Sequence, residues 1–333
     1  MTHRITMNDV AREAQVSIMT VSRVVNNKTE VSPATRQLVL NVIERLGYRP
    51  SSIARGLATK HTATLGVVVP DIANPFFAAV VRGAENQAYA EEYSVFLCNT
   101  NEDPEREIAV LQSLEEKRID GLLLCASRLP EDKLRQIVGC FPATILVLRQ
   151  LKNDNVQAVL VDDESGGQMA TQHLLRSGHQ KIGFLAGPML SYSGQCRMRG
   201  YLTAMEAAGL PVNPDWILNG APYVHNGRES AHRLLSSFPE LTAILCFNDL
   251  VAVGAIQACA ELGKKVPNDL AIIGFDDIPL ASLVTPPLTT CRTPQEKLGS
   301  TAMQTLLKQI RGGGNDQEKI VIRPELIVRA SAP

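Results

Sequence analysis

The 333-residue chain contains no run of about 18 consecutive apolar residues, the length a membrane-spanning helix needs. Its opening residues, Met1-Thr2-His3-Arg4, lead into polar sequence, whereas a secretory leader carries an apolar stretch there. A cytoplasmic protein with no membrane partner is the expectation. Cysteine is sparse and scattered: Cys98, Cys125, Cys140, Cys196, Cys246, Cys259 and Cys291 include no C-x-x-C pair. That spacing supports neither a disulfide framework nor a zinc site. The thiols read as small buried hydrophobes, with no metal and no cofactor expected. Catalytic signatures are missing too: no G-x-x-x-x-G-K-[ST] loop, no G-x-S-x-G elbow and no H-E-x-x-H pair. Gly312-Gly313-Gly314 follows a helical stretch and makes no phosphate cradle. No catalytic residue is identified, and an enzyme is the lesser alternative throughout.

A net excess of one charge is also absent, with 33 basic and 34 acidic residues giving −1. The balance conceals an asymmetry. Residues 1–60 hold nine basic and four acidic side chains, a surplus of +5, and the remainder is −6. A small basic end on an acidic body points to a polyanionic partner for that end.

Thr6 followed by Asp9 has the form of a helix N-cap with an acidic third residue. Ser17 caps a second helix, Ile18 to Val25, with Val21 and Val24 facing inward and Asn26-Asn27 stopping it. Ser32-Pro33 starts a third, striped by Val39, Val42, Ile43 and Leu46 and closed by Gly47. Two short helices joined by a tight turn, with a third packed on them, form the helix-turn-helix plan, whose second helix enters the major groove of DNA. The residues so placed are Ile18, Met19, Thr20, Ser22 and Arg23. Arg23 can pair bidentately with guanine, and Ile18 and Met19 can read thymine methyl groups. From these residues alone, a plain three-helix bundle with a solvated arginine stays open. Beyond Pro50, Ser51 or Ser52 can cap one more short basic helix carrying Arg55 and Leu57. Leu57 can wedge between base steps of a minor groove, or the segment is a linker with one apolar anchor.

From Thr64 onward short apolar strands alternate with amphipathic helices. Leu65–Val69, Val95–Cys98, Gly121–Leu124 and Thr144–Leu148 read as buried strands, and the pattern restarts at Ala158–Val161, Ile182–Leu185, Ala243–Cys246 and Leu270–Ile273. Strand–helix alternation implies doubly wound parallel sheets, and two runs imply two lobes. Ligands of such sheets bind beyond the carboxyl ends of the strands. Asp71, Asn74, Asn99, Ser127, Arg149, Asp162, Asn248, Asp249 and Asp276 fall there, with Phe76 and Phe77 offering apolar faces. Asn74, Asp162 and Asp249 read equally well as helix caps. Arg149 favours an anionic ligand group, or else pairs internally with Asp162 or Asp71.

Across almost its whole length the chain resembles the lactose-repressor/galactose-repressor family of bacterial regulators. The matching runs include Asp9-Val10-Ala11, Thr20-Val21-Ser22-Arg23-Val24, Leu46-Gly47-Tyr48, Ala54-Arg55-Gly56-Leu57, Asn74-Pro75-Phe76-Phe77, Gly178-His179, Gly200-Tyr201, Asn248-Asp249, Gly274-Phe275-Asp276-Asp277 and Pro286-Pro287-Leu288-Thr289-Thr290. Gln15 departs from it, since glycine or asparagine is usual in that turn and a side chain there is strained at positive φ. Arg149 stands where aspartate is common. The resemblance implies a small all-α helix-turn-helix headpiece on an α/β body of two doubly wound parallel-sheet lobes, like a periplasmic binding protein. It divides the chain into a headpiece (1–49), a hinge helix and linker (50–61), a first lobe (62–161 with 292–322) and a second lobe (162–291 with 323–333). It implies a homodimeric regulator of near-palindromic operator DNA, controlled by a sugar, sugar acid or sugar phosphate. Thr6, Ser17, Ile18, Met19, Thr20, Ser22, Arg23, Asn26, Tyr48, Arg55 and Leu57 are the expected DNA contacts. Asp71, Asn74, Phe76, Phe77, Arg149, Arg197, Asn248 and Asp276 are the expected effector contacts.

Overall fold

The computed structural model describes residues 5–48, 61–152, 155–313 and 319–333. Arg55 and Leu57 lie outside them. The chain separates into two compact units, Met1–Thr62 and Ala63–Pro333.

Among the described residues, the first unit holds three helices: α1 (Met7–Glu13), α2 (Ile18–Val25) and α3 (Pro33–Leu46). The expected caps form. The Thr6 hydroxyl accepts from the Asp9 N–H while Asp9 accepts from the Thr6 N–H. Ser17 and Ser32 accept from Thr20 and Thr35 N–H at 3.1 and 3.2 Å. Val10, Val21, Val24, Val39 and Val42 fill the centre. Gln15 takes φ = 53° and Asn27 φ = 51°, so the turn between α1 and α2 does carry a side chain in the left-handed region. Gly47, at φ = 63°, ends α3.

The second unit contains two six-stranded sheets. The first runs β11-β5-β4-β3-β1-β2, from β1 (Thr64–Val69), β2 (Ser94–Asn99), β3 (Gly121–Cys125), β4 (Thr144–Val147), β5 (Gln157–Val161) and β11 (Ile320–Ile322). All its pairings are parallel. The second runs β12-β10-β9-β8-β6-β7, from β6 (Ile182–Gly187), β7 (Ile217–Asn219), β8 (Ala243–Cys246), β9 (Ala271–Asp276), β10 (Thr289–Arg292) and β12 (Glu325–Ile327). Only its β10–β12 pairing is antiparallel. The chain therefore crosses between lobes three times, the last time to donate one strand to each sheet.

Helices cover both faces, which is why the inner strands are apolar throughout. In β3, Leu123 joins one core cluster while Leu122 and Leu124 join the other. One expectation is corrected: β2 is not buried, and Phe96 and Leu97 are each 43% exposed, because it is an edge strand paired only with β1.

Three helix pairs cross at facing glycines. They are α4 (Pro75–Ala90) with α12 (Gln295–Ile310), α7 (Asp163–Arg176) with α8 (Tyr192–Ala207), and α9 (Val224–Ser237) with α10 (Asp249–Glu261). A Cβ on Gly83 or Gly299 would strike the opposite backbone, and so would one on Gly167, Gly200, Gly227 or Gly254. Such contact sets the helix spacing and so the alignment of the strand ends. Gly254→Ala is expected to cost about 2 kcal/mol or more by overpacking. Urea unfolding of the full chain measures it, and a loss below about 0.5 kcal/mol would contradict this account of the crossing.

Candidate functional site

The carboxyl ends of both sheets face a narrow, nearly closed cleft with a cavity volume of about 30 Å³, room for about two water molecules. From the first lobe it is lined by Asn74, Phe76, Phe77, Glu102, Ala126, Arg128 and Leu148. From the second come Ser191, Ser193, Arg197, Pro222, Phe247, Asn248 and Asp276.

Local structure explains how each arrives. Asn74 caps α4, accepting from Phe76 N–H at 3.0 Å, with Pro75 as first helical residue. The helix start then presents Phe76 and Phe77, packed edge to face at 5.2 Å. Asn248 caps α10, accepting from Val251 N–H at 2.9 Å, and its amide donates to Pro222 O at 3.3 Å. Asp276 ends β9 at φ = 110°, a conformation that costs of order 1–3 kcal/mol away from glycine.

Arg197 organises the second-lobe wall. Its Nε donates to Asp163 Oδ1 at 2.8 Å, its Nη1 to the Phe247 carbonyl, and its Nη2 lies 3.5 Å from Asp276 Oδ1. The guanidinium stacks 3.6 Å from the Phe275 ring centroid and 5.1 Å from that of Phe247. Burial alone would pull its pKa down, and Asp163 with Asp276 more than reverses this. Burial drives the Asp276 carboxyl well above its ordinary range, opposed in part by Arg197. One guanidinium thus serves two buried carboxylates, and Asp276 holds the looser contact, with capacity for a ligand donor. The Ser193 hydroxyl is buried with no hydrogen-bond partner.

In the headpiece, α2 displays Ile18 at 51% and Met19 at 64% exposure. Ser22 is partly exposed, and its carbonyl and hydroxyl accept from the Asn26 amide. Arg23 is exposed and its Nε rests 3.2 Å from Glu30. Ser17 and Thr20 hydroxyls contact each other at 2.9 Å, and the Thr6 hydroxyl donates to Asp9 at 2.7 Å. Large apolar side chains held out at a helix start, next to an arginine, form a surface suited to base edges.

Two family models match the chain: bacterial regulatory proteins of the lacI family over residues 6–51, and periplasmic binding proteins and sugar binding domain of the LacI family over residues 62–330. The chain belongs to the LacI family. It is 39% identical over 331 residues to the HTH-type transcriptional repressor PurR of Haemophilus influenzae, covering 98% of both chains. Among solved structures it is similar to the lac repressor dimer bound to operator and the anti-inducer ONPF (27% identity, 99% of each chain, TM-score 0.87). It is also similar to a transcriptional regulator CelR–cellobiose complex (30% identity, 98% and 100% of the two chains, TM-score 0.76). This LacI-family protein is a transcriptional repressor with a DNA-binding headpiece and a ligand-binding body, not an enzyme.

Of the expected effector contacts, Asn74, Phe76, Phe77, Arg197, Asn248 and Asp276 converge on the cleft. Two do not. Asp71 folds onto its own loop, accepting from Ala73 N–H at 3.0 Å. Arg149 points away because Leu148 turns at φ = 56° and itself fills the cleft. The Arg149 guanidinium donates to Leu129 O at 3.1 Å, and burial pulls its pKa down against the raising effect of Glu131 and Glu107. It pairs with neither Asp162, which caps α7, nor Asp71. Among the DNA candidates, Tyr48 is corrected: Gly47 folds the chain back, Tyr48 N–H bonds to Ile43 O at 3.0 Å, and the side chain is buried in the headpiece core. The cap of α10 is Asn248; Asp249 instead accepts from Ile278 N–H at 2.8 Å and from the Thr290 hydroxyl.

Glu102, Arg128, Leu148, Ser191, Ser193 and Phe247 were missed. The strand-end rule reaches them all, provided it is extended a few residues past each strand through the turn that follows.

Burial pushes the Asp249 carboxyl up to about 7, despite the bonds from Thr290 and Ile278. An unfolded aspartate titrates near ~3.9, so the folded state holds the proton more tightly, and stability falls as pH rises from about 4 to about 7. Asp249→Asn keeps the shape and is expected to flatten this slope. Urea midpoints at pH 5 and pH 8 compare the two proteins, and equal slopes would contradict the assignment. Arg197→Ala strands two buried carboxylates and is expected to cost about 3–5 kcal/mol, read as a large fall in Tm without ligand.

Proposed function

We propose that this repressor binds near-palindromic operator DNA as a homodimer in the cytoplasm, and that an uncharged, hydroxyl-bearing ring compound, a sugar in the simplest case, controls it from the cleft. The Ser193 hydroxyl carries the ligand reading: it is buried in the cleft without a hydrogen-bond partner in the protein, which leaves it to pair with a hydrogen-bonding group of the effector. Asp276 supplies an acceptor for ligand hydroxyls, and Phe76, Phe77 and Phe247 supply apolar faces. The lining holds Arg128 with Glu102 and Arg197 with Asp276, which balances its charges and favours a neutral ligand. With Arg149 turned away, a sugar acid or sugar phosphate loses its proposed partner. The cellobiose in the CelR complex fits the same class.

On this reading residues 1–49 form the headpiece and residues 50–61 the hinge. The lobes are 62–161 with 292–322 and 162–291 with 323–333. Ser17, Ile18, Met19, Thr20, Ser22 and Arg23 read the major groove, with Thr6 and Asn26 at its edges, and Arg55 and Leu57 enter the minor groove. Bodies pair along exposed apolar surface, for which Phe96, Leu97 and Tyr89 are available. A ligand touching both lobes acts through its difference in affinity for two lobe arrangements.

Thermal-shift measurements with neutral sugars, sugar acids, sugar phosphates and nucleobases test the ligand class. Neutral sugars are expected to stabilise the protein and alter operator affinity. A response confined to nucleobases would replace the sugar with a flat heterocycle. Ser193→Ala is expected to weaken that ligand about two- to tenfold while operator affinity without ligand is unchanged. Arg23→Ala is expected to cost about 1–3 kcal/mol of operator binding and relax preference at one base pair, measured by titration at fixed salt. A uniform loss across all sequences would reduce Arg23 to a phosphate contact.

A further inference from the structure

We infer that Glu102 sets the charge class of the effector by masking Arg128, so that the first-lobe wall offers hydrogen-bond donors without net positive charge. This rests on the cleft being the effector site. Both residues line it, and their side chains are only 12% and 5% exposed. The pair is bidentate: Arg128 Nε donates to Glu102 Oε2 at 2.5 Å and Nη2 to Oε1 at 3.0 Å. Nη1 donates to Ala126 O at 2.8 Å.

The backbone is bent to deliver this pair. Asn101 and Glu102 are consecutive left-handed residues, at φ = 56° and 58°, and Ala126 sits at φ = 47°. Glu102 N–H bonds to Pro70 O at 3.1 Å, and Asp103 next to it caps the helix Pro104–Glu116. Three side-chain-bearing residues in a disfavoured conformation hold this acid against this base.

Each terminal guanidinium nitrogen carries two hydrogens. With one from each engaged as above, Nη1 and Nη2 keep donors for a hydroxyl or carbonyl oxygen. An incoming carboxylate or phosphate would meet the Glu102 carboxylate on the same wall of the cleft. Like-charge juxtaposition of this kind rejects a competitor without costing the accepted ligand anything. A pair that merely fastened two loops together would show no such dependence on ligand charge.

The test compares the full-length protein, E102Q and E102Q/R128Q by thermal shift, using sodium sulfate against sodium chloride at equal ionic strength. Glucose against glucuronate and galactose against galacturonate form the second arm. E102Q is expected to gain a saturable, sulfate-specific rise of about 3 °C or more over the unsubstituted and doubly substituted proteins, which share any general salt effect. If E102Q is too unstable alone, restoration of its fold by sulfate is the same readout. E102Q is also expected to bind the uronates at least about tenfold more tightly than the unsubstituted protein does. No sulfate gain over E102Q/R128Q, or uronate binding by the unsubstituted protein equal to that of its neutral partner, overturns the inference. A sulfate gain with no response to any sugar in any protein leaves the masking established and removes the sugar reading instead.

Discussion

The Arg197 guanidinium is the contact on which the second lobe and its share of the cleft depend. It reaches from α8 to Asp163 at the start of α7, to the carbonyl after β8 and to Asp276 at the end of β9. It is flanked by the rings of Phe275 and Phe247. Four elements that are separate in sequence are tied at one planar, permanently charged group. Arginine suits this position because it combines forked donors with a stackable face. A lysine would supply a charge without the plane.

Two consequences follow for ligand binding. Asp276 is positioned by a group that is already committed to Asp163, so its carboxylate keeps acceptor capacity. The wall is also preorganised, which lowers the ordering cost of association. The first lobe solves the same problem differently, with a local acid–base pair delivered by left-handed turns. Glycine contacts between α7 and α8 hold the arginine's own helix close enough to reach. A ligand bridging the two lobes would thus join two rigid surfaces, and rigid surfaces are what convert a small closing motion into a discrete change elsewhere.

The headpiece is built on other terms. Its core is small and valine-rich, and much of its definition comes from caps: Thr6, Ser17 and Ser32 each satisfy backbone donors that a short helix leaves open. That economy leaves Ile18 and Met19 outside the core, where burial must come from a partner. The left-handed Gln15 shows that a tight turn between α1 and α2 is kept even without glycine.

What the sequence alone determined was what depends on near neighbours and on period: the three capped helices, the strand–helix alternation, the two lobes and the strand ends as the lining of a cleft. Capping and amphipathic patterning act over three or four residues, so they are legible in the order of residues. Membership of the cleft was legible only in part. Asn74, Phe76 and Phe77 open the helix that follows β1, Asn248 comes two residues after β8, and Asp276 ends β9. Whether Leu148 or Arg149 enters the cleft turns on one backbone angle, and the burial of Tyr48 turns on another. The partnership of Glu102 with Arg128 and the facing glycines are long-range pairings. Tertiary structure alone decided them, because they are settled by which surfaces meet once the sheets have closed.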